Sequence, residues 1–201
     1  MASDAGELLD WLDSHKLNPK TRYSYISHLA SFWRWAVIND LTIVDVTMKL
    51  SRPKMRRGLP RPLAVEDLRM LIDRAPTTAM KAMITLGGFA GLRCMEIAQI
   101  AVNDILETMN PPCLIVANGK GGKSRVIPIS APVIDALRAH GGPSQGAIFR
   151  DDNGDPYYPW KISQILRKHI HDCGLNTSGH ALRHTFGTEV YRRSNDLRMT
   201  Q

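Results

Sequence analysis

Residues 51–62, "SRPKMRRGLPRP", constrain the fold more than any other segment of the chain. Three prolines and a glycine deny this stretch both helix and sheet, because proline has a fixed φ and no N–H to donate. It reads as an extended linker that divides the 201 residues into a domain at 1–50 and a second at 63–201. The same stretch has five basic residues and no acidic one. A plain spacer needs no such charge, whereas a strap lying along a phosphate backbone does, so Arg52, Lys54, Arg56 and Arg57 are candidate DNA contacts. The whole chain leans the same way, with 26 Lys+Arg against 19 Asp+Glu, a formal charge of +7 and a pI near 9.5. Surplus positive charge favours a polyanionic partner, although it also serves ordinary solubility.

The segments on either side of the linker are mainly helical. "GELLDWLDSHK" places Leu8, Leu9, Trp11 and Leu12 on a short apolar stripe. "NPKTRYSYISHLASFWRWAVIND" carries Tyr25, Ile26, Leu29, Phe32, Trp33 and Ala36 at three- and four-residue steps, as an amphipathic helix does. Asn18 before Pro19 is a helix start, an N-cap followed by proline at the first helical position. The polar side of that helix offers Lys20, Arg22, His28 and Arg34, with Lys20 and Arg22 as further DNA-contact candidates beside the simpler reading of a solvated face. Past the linker, residues 65–75, 77–91, 130–140, 160–174 and 179–193 have helical patterns. Two β-rich runs, "CLIVA" (113–117) and "SRVIPI" (124–129), lie in the middle. The expected fold class is mainly α with a small antiparallel β-sheet.

Between the two runs lies "ANGKGGKS" (117–124), whose end approaches the phosphate-loop pattern G-x-x-x-x-G-K-[ST]. A phosphate loop needs a strand before it and a helix after it, so that backbone N–H groups and the helix N-terminus point at the phosphates. Here "RVIPI" follows, and Pro128 would cost a helix there ~3 kcal/mol. The motif's first glycine is also an alanine, Ala117. The stretch is therefore a hairpin tip, which sets Lys120 and Lys123 at or beside a turn from which they can reach a bound phosphate.

Two further pairs complete the pattern. In "GFAGLRCMEIAQI" (88–100), Arg93 and Glu96 stand three apart, neighbours on one helix face. In "GHALRHTFGTEVY" (179–191), His180 and Arg183 are likewise one turn apart. Singly, a local ion pair and a solvated helix end would account for them. In this order, "AGLRCMEI", "GKGGKSRVIPI" and "HALRHTFGT" resemble the first arginine box, the catalytic-lysine hairpin and the H-x-L-R-H-T second box of the tyrosine recombinase (phage integrase) family. The helix after Asn18 is similar to that family's core-binding domain, and the linker falls where the family has one.

The resemblance implies an enzyme that cleaves one DNA strand with a tyrosine, forming a 3′-phosphotyrosyl bond and releasing a 5′-hydroxyl. It implies Arg93 and Arg183 as the pair that binds the non-bridging oxygens, a task suited to planar guanidinium forks. Lys120 would protonate the leaving oxygen. His180 would bond the phosphate or handle the nucleophile's proton, and Glu96 would support Arg93. The covalent intermediate conserves the energy of the phosphodiester, so no cofactor and no metal is called for. The implied partner is double-stranded DNA, with the family acting as a homo-tetramer on two duplexes.

The family pattern continues with a Leu-Gly-His motif and then the tyrosine nucleophile, and neither follows the second box here. Tyr191 is only eight residues past Arg183, and Tyr157 and Tyr158 precede the box. The expectation is a catalytic domain truncated at the C-terminus that binds DNA and does not cleave it. Two other functions fit the same residues: a non-catalytic DNA-binding regulator on a recombinase scaffold, and a type IB topoisomerase. Cys94, Cys113 and Cys173 form no CxxC pair and no zinc spacing, which suits buried reduced thiols. No apolar run approaches the ~18–20 residues of a membrane span, and "MASDAGELLDW" has no signal-peptide core, so a cytoplasmic protein is expected.

Overall fold

A computed structural model describes residues 5–55, 62–117 and 124–196. Arg56, Arg57, Lys120 and Lys123, with the hairpin tip and the end of the chain, lie outside the described residues. The chain forms two compact units, residues 1–59 and 60–201.

In the first unit α1 (Ala5–Ser14) and α2 (Pro19–Ile38) are followed by a short 3-10 turn, Val46–Lys49. Asn18 caps α2 by accepting from the Thr21 N–H at 2.9 Å, with Pro19 at the first helical position. Leu8, Leu12, Ile26 and Leu50 form the buried cluster, with Val46 and Leu29 packed against it. The buried stripe of α2 is Ile26, Ala30, Trp33 and Ala36. Tyr25 and Phe32, expected on that stripe, and Trp11 of α1 are exposed instead. They flank the buried row by about 100° per residue, enough to carry a ring out to solvent.

The second unit is built around α4 (Thr78–Phe89), whose residues from Ala82 to Gly88 are all buried. A helix that is apolar all round must be enclosed, and α3 (Val65–Asp73), α6 (Ala131–His140) and α8 (His180–Ser194) pack on it. The close approach depends on two glycines: a Cβ on Gly88 would lie 2.7 Å from Leu68 Cδ1, and one on Gly87 would lie 3.0 Å from Leu182 Cδ1. The short helix α5 (Cys94–Gln99) packs against α7 (Pro159–Asp172).

Three strands make an antiparallel sheet in the order β1 (Ile105–Leu106), β2 (Cys113–Val116), β3 (Arg125–Pro128). Val116 pairs with Arg125 and Cys113 with Pro128. Among the described residues β3 is an edge strand, where a proline breaks no ladder. The fold class is thus mainly helical with a small antiparallel sheet, and β1 is a strand that no sequence periodicity announced.

Candidate active site

The segment that joins α4 to α5 carries the first half of the site. Gly91 has φ +66°, and a Cβ there would lie 2.3 Å from Phe186 Cδ1 of α8. Only glycine tolerates both the left-handed backbone and that contact. The consequence is that α8 sits directly against the loop, and Arg183 of α8 donates from Nη1 to the Gly91 carbonyl. Gly179, just before α8, is buried, with its Cβ position 3.4 Å from Cys94 Sγ. Two glycines therefore dock the start of α8 on the start of α5, and the two arginine-bearing segments become neighbours.

Arg93 is the N-cap of α5, one residue before the helix, and Glu96 is its third residue. This corrects the picture of both side chains on one helix face. Glu96 instead turns back over the cap, accepting from the Arg93 backbone N–H at 2.8 Å and from Arg93 Nη1 at 2.9 Å. A guanidinium has no acceptor, so the reciprocal half of a capping box does not form.

Glu96 has a second cationic partner, which the sequence reading missed. Arg125, the first residue of β3, donates from Nη1 to Oε1 at 2.9 Å and from Nη2 to Oε2 at 3.1 Å. The strand has a usable signal: Arg125 and Ile127 share the inward face, while Val126 and Pro128 face out. An arginine on the apolar parity of a strand calls for an anion beneath it.

Glu96 is 4% exposed, against 35% for Arg93 and 32% for Arg125. Burial pushes its carboxyl up, but the hydrogen bonds from Arg125 and Arg93 and the Arg125 charge outweigh burial and hold it down at about 2. Burial and then the charge of Arg93 lower the pKa of the half-buried Arg183, with Arg125 acting in the same direction and Glu96 against them. Three guanidiniums thus gather near one carboxylate, and two of them, Arg93 and Arg125, are hydrogen-bonded to it. Such a cluster has unspent positive charge, suited to an anion with several oxygens.

His180 is the first residue of α8, one turn before Arg183, and is exposed. Lys20 is exposed on α2, whereas Arg22 is ion-paired with Asp13 of α1 at 2.5 Å. Arg52 and Lys54 are exposed in a stretch without regular structure.

Comparison with known proteins gives this geometry a setting. The phage integrase family matches residues 61–201. Tyrosine recombinase XerA of Pyrococcus horikoshii is 31% identical over 159 residues, covering 76% of this chain and 55% of its own length. Tyrosine recombinase XerC of Rhodospirillum centenum is 30% identical over 220 residues, covering 100% of this chain and 63% of its own. This chain therefore spans 55% and 63% of the length of these two curated relatives. Among solved structures, the integrase from mycobacterium phage Brujita is 27% identical, with a TM-score of 0.63 over 99% of this chain and 68% of that one. XerH bound to its difH substrate has a TM-score of 0.78 over 98% of this chain and 62% of that one, but at 21% identity it shows the fold alone. On a family match that takes in well over half of its residues, the chain belongs to the phage integrase family, the tyrosine recombinases.

Proposed function

We infer that the chain is the DNA-binding and phosphate-activating part of a site-specific recombinase, which exchanges DNA strands through a 3′-phosphotyrosyl intermediate. The observation that carries this reading is the Arg93–Glu96–Arg125–Arg183 cluster, in which Arg183 is anchored on the same loop that leads into Arg93. Arg93 and Arg183 bind the non-bridging oxygens of the scissile phosphate and stabilise the charge that builds there in the transition state. Lys120 protonates the departing 5′-oxygen, His180 bonds the phosphate or takes the nucleophile's proton, and Glu96 holds Arg93. Lys20, Arg22, Arg52, Lys54, Arg56, Arg57 and Lys123 contact the DNA backbone, Arg22 with the weaker support because Asp13 already occupies it. Residues 1–50 are the core-binding domain, 51–62 the linker and 63–201 the catalytic portion. The partner is double-stranded DNA in the cytoplasm, and assembly is a homo-tetramer on paired sites; the structural relatives include a lambda integrase tetramer bound to a Holliday junction.

The 201-residue chain binds DNA without cleaving it. Tyr191 is the one tyrosine after the second box, and it lies eight residues along α8 from Arg183, about 12 Å at 1.5 Å per residue. That separation takes its hydroxyl away from the arginines. A covalent adduct between this chain and a nicked target duplex would overturn the inactivity. The catalytic assignment is tested in an extended chain that carries the tyrosine nucleophile, where Lys120→Ala and Arg183→Ala retain duplex binding and lose strand cleavage. Normal cleavage by both variants would refute it.

A further inference from the structure

We propose that Arg125 is a positioning residue that occupies Glu96 so that Arg93 keeps donors free for phosphate. The proposal rests on the reading of Arg93 as a phosphate ligand and extends the site by a residue outside the two arginine boxes.

Donors and acceptors around the carboxylate decide how the arginines are used. A carboxylate offers about four acceptor positions, and Glu96 fills them with the Arg93 backbone N–H, Arg93 Nη1, Arg125 Nη1 and Arg125 Nη2. The two-point fork, the strongest arrangement between these groups, belongs to Arg125. Arg93 spends a single side-chain nitrogen on Glu96, and no described residue accepts from its Nη2 or Nε. If Arg125 were absent, a carboxylate that is 4% exposed would lose two of its four donors. Water is the usual replacement, but burial limits it. The nearest cation left is Arg93, whose own fork would close on Glu96 in the same two-point geometry. Its remaining N–H groups would turn from the open side, where a phosphate sits, to the carboxylate. Arg125 can hold its place because it starts an edge strand paired through Val116, with its side chain on the inward face.

The positions of these residues also explain why three arginines are not redundant. Arg183 is anchored by the Gly91 carbonyl and has no hydrogen bond to Glu96. Arg93 is shared between Glu96 and the open site. Arg125 is committed to Glu96 by both terminal nitrogens. Only this division leaves two arginines facing an anion, with the carboxylate neutralised behind them.

The test titrates inorganic phosphate into the 201-residue chain and follows the Nε–Hε resonances of Arg93 and Arg183 by NMR. In the parent chain both respond. In Arg125→Gln the phosphate response of Arg93 is expected to weaken at least fivefold, while Arg183 changes less. Glu96→Gln added to Arg125→Gln removes the competing charge and is expected to bring Arg93 back to within twofold of the parent. An added loss in the double variant, or a parent-like response in Arg125→Gln, would overturn the proposal. Arg125→Lys keeps the charge without the fork and should be intermediate; it decides the matter if the glutamine variant does not fold, and a parent-like response from it is then the refuting result. Carboxyl-carbon NMR of Glu96 reports on the clamp by itself. Its titration should move upward in Arg125→Gln, and an unmoved titration refutes the clamp. If neither arginine of the parent chain responds to phosphate, it is the recombinase-site reading that fails, and the Glu96 titration still judges the clamp.

Discussion

Glu96 is ionised in a place closed to water, and its neighbours explain why it can be. Each carboxylate oxygen accepts two N–H groups, three of the four from guanidiniums, and these together outweigh the burial that would otherwise protonate it. Its pKa falls from 4.5 to about 2 on folding, so its contribution to stability is complete above the unfolded value and is lost as pH drops from about 4.5 towards 2. Glu96→Gln should therefore cost about 3 kcal/mol near neutral pH, since it leaves two arginines around an uncharged amide. In urea unfolding at pH 6 and again at pH 3, the gap between parent and variant should narrow at the lower pH. The same scale holds the sharpest catalytic expectation. Arg93→Lys keeps a positive charge but replaces a planar fork with a point donor. In an extended chain that carries the tyrosine nucleophile, the strand-cleavage rate should fall about 100-fold, the loss typical of one transition-state donor, with duplex affinity little changed.

At the scale of elements, glycine placement governs the approach of helices that carry the arginines. Gly91 combines a positive φ with a Cβ position inside the Phe186 ring contact. Gly91→Ala should destabilise the fold by about 1–3 kcal/mol, measured by chemical unfolding, and should also weaken phosphate binding, because the Gly91 carbonyl anchors Arg183. Helix capping offers a change of opposite sign. Ala64 takes the N-cap position of α3 with extended backbone, exposed, and gives no side-chain cap bond. Ala64→Ser supplies the missing acceptor and should raise stability by about 1 kcal/mol, again by chemical unfolding and with the chemistry of the site untouched.

For the whole molecule the controlling quantity is charge. A formal +7 on 201 residues, with basic side chains concentrated in the linker, sets up binding that depends on counterion release. Duplex affinity measured by fluorescence anisotropy should fall linearly on logarithmic axes as salt rises. The paired substitution of Arg52 and Lys54 by alanine should reduce that slope by roughly 0.9 for each phosphate no longer neutralised. A slope unchanged by the pair would remove the linker from the interface.

Local chemistry was legible in the sequence wherever the deciding interaction is local. Asn18 before Pro19 announces α2 because the cap and the N–H it accepts from are three residues apart, and the edge position of Pro128 agrees with a strand and not with the helix a phosphate loop would require. The helical patterns and the hairpin made the mainly α fold with a small sheet readable, as did the ordered arginine boxes for the family. What the sequence did not disclose depends on residues far apart in the chain. Strand β1 is two residues long, too short for any period to appear. Tyr25 and Phe32 match the apolar stripe of α2, yet its burial is decided by which face α1 and residue Leu50 cover. Arg125 lies 29 residues from Glu96, and its strand parity asks for an anion without saying which carboxylate supplies it. By itself the sequence determined the family, because its boxes are short local runs of residues, and it named the side chains that are candidates for a phosphate, since the chemistry of a guanidinium travels with the residue. Only the tertiary structure decided how one buried carboxylate is divided between two arginines, because that division follows from helix and strand packing across the core.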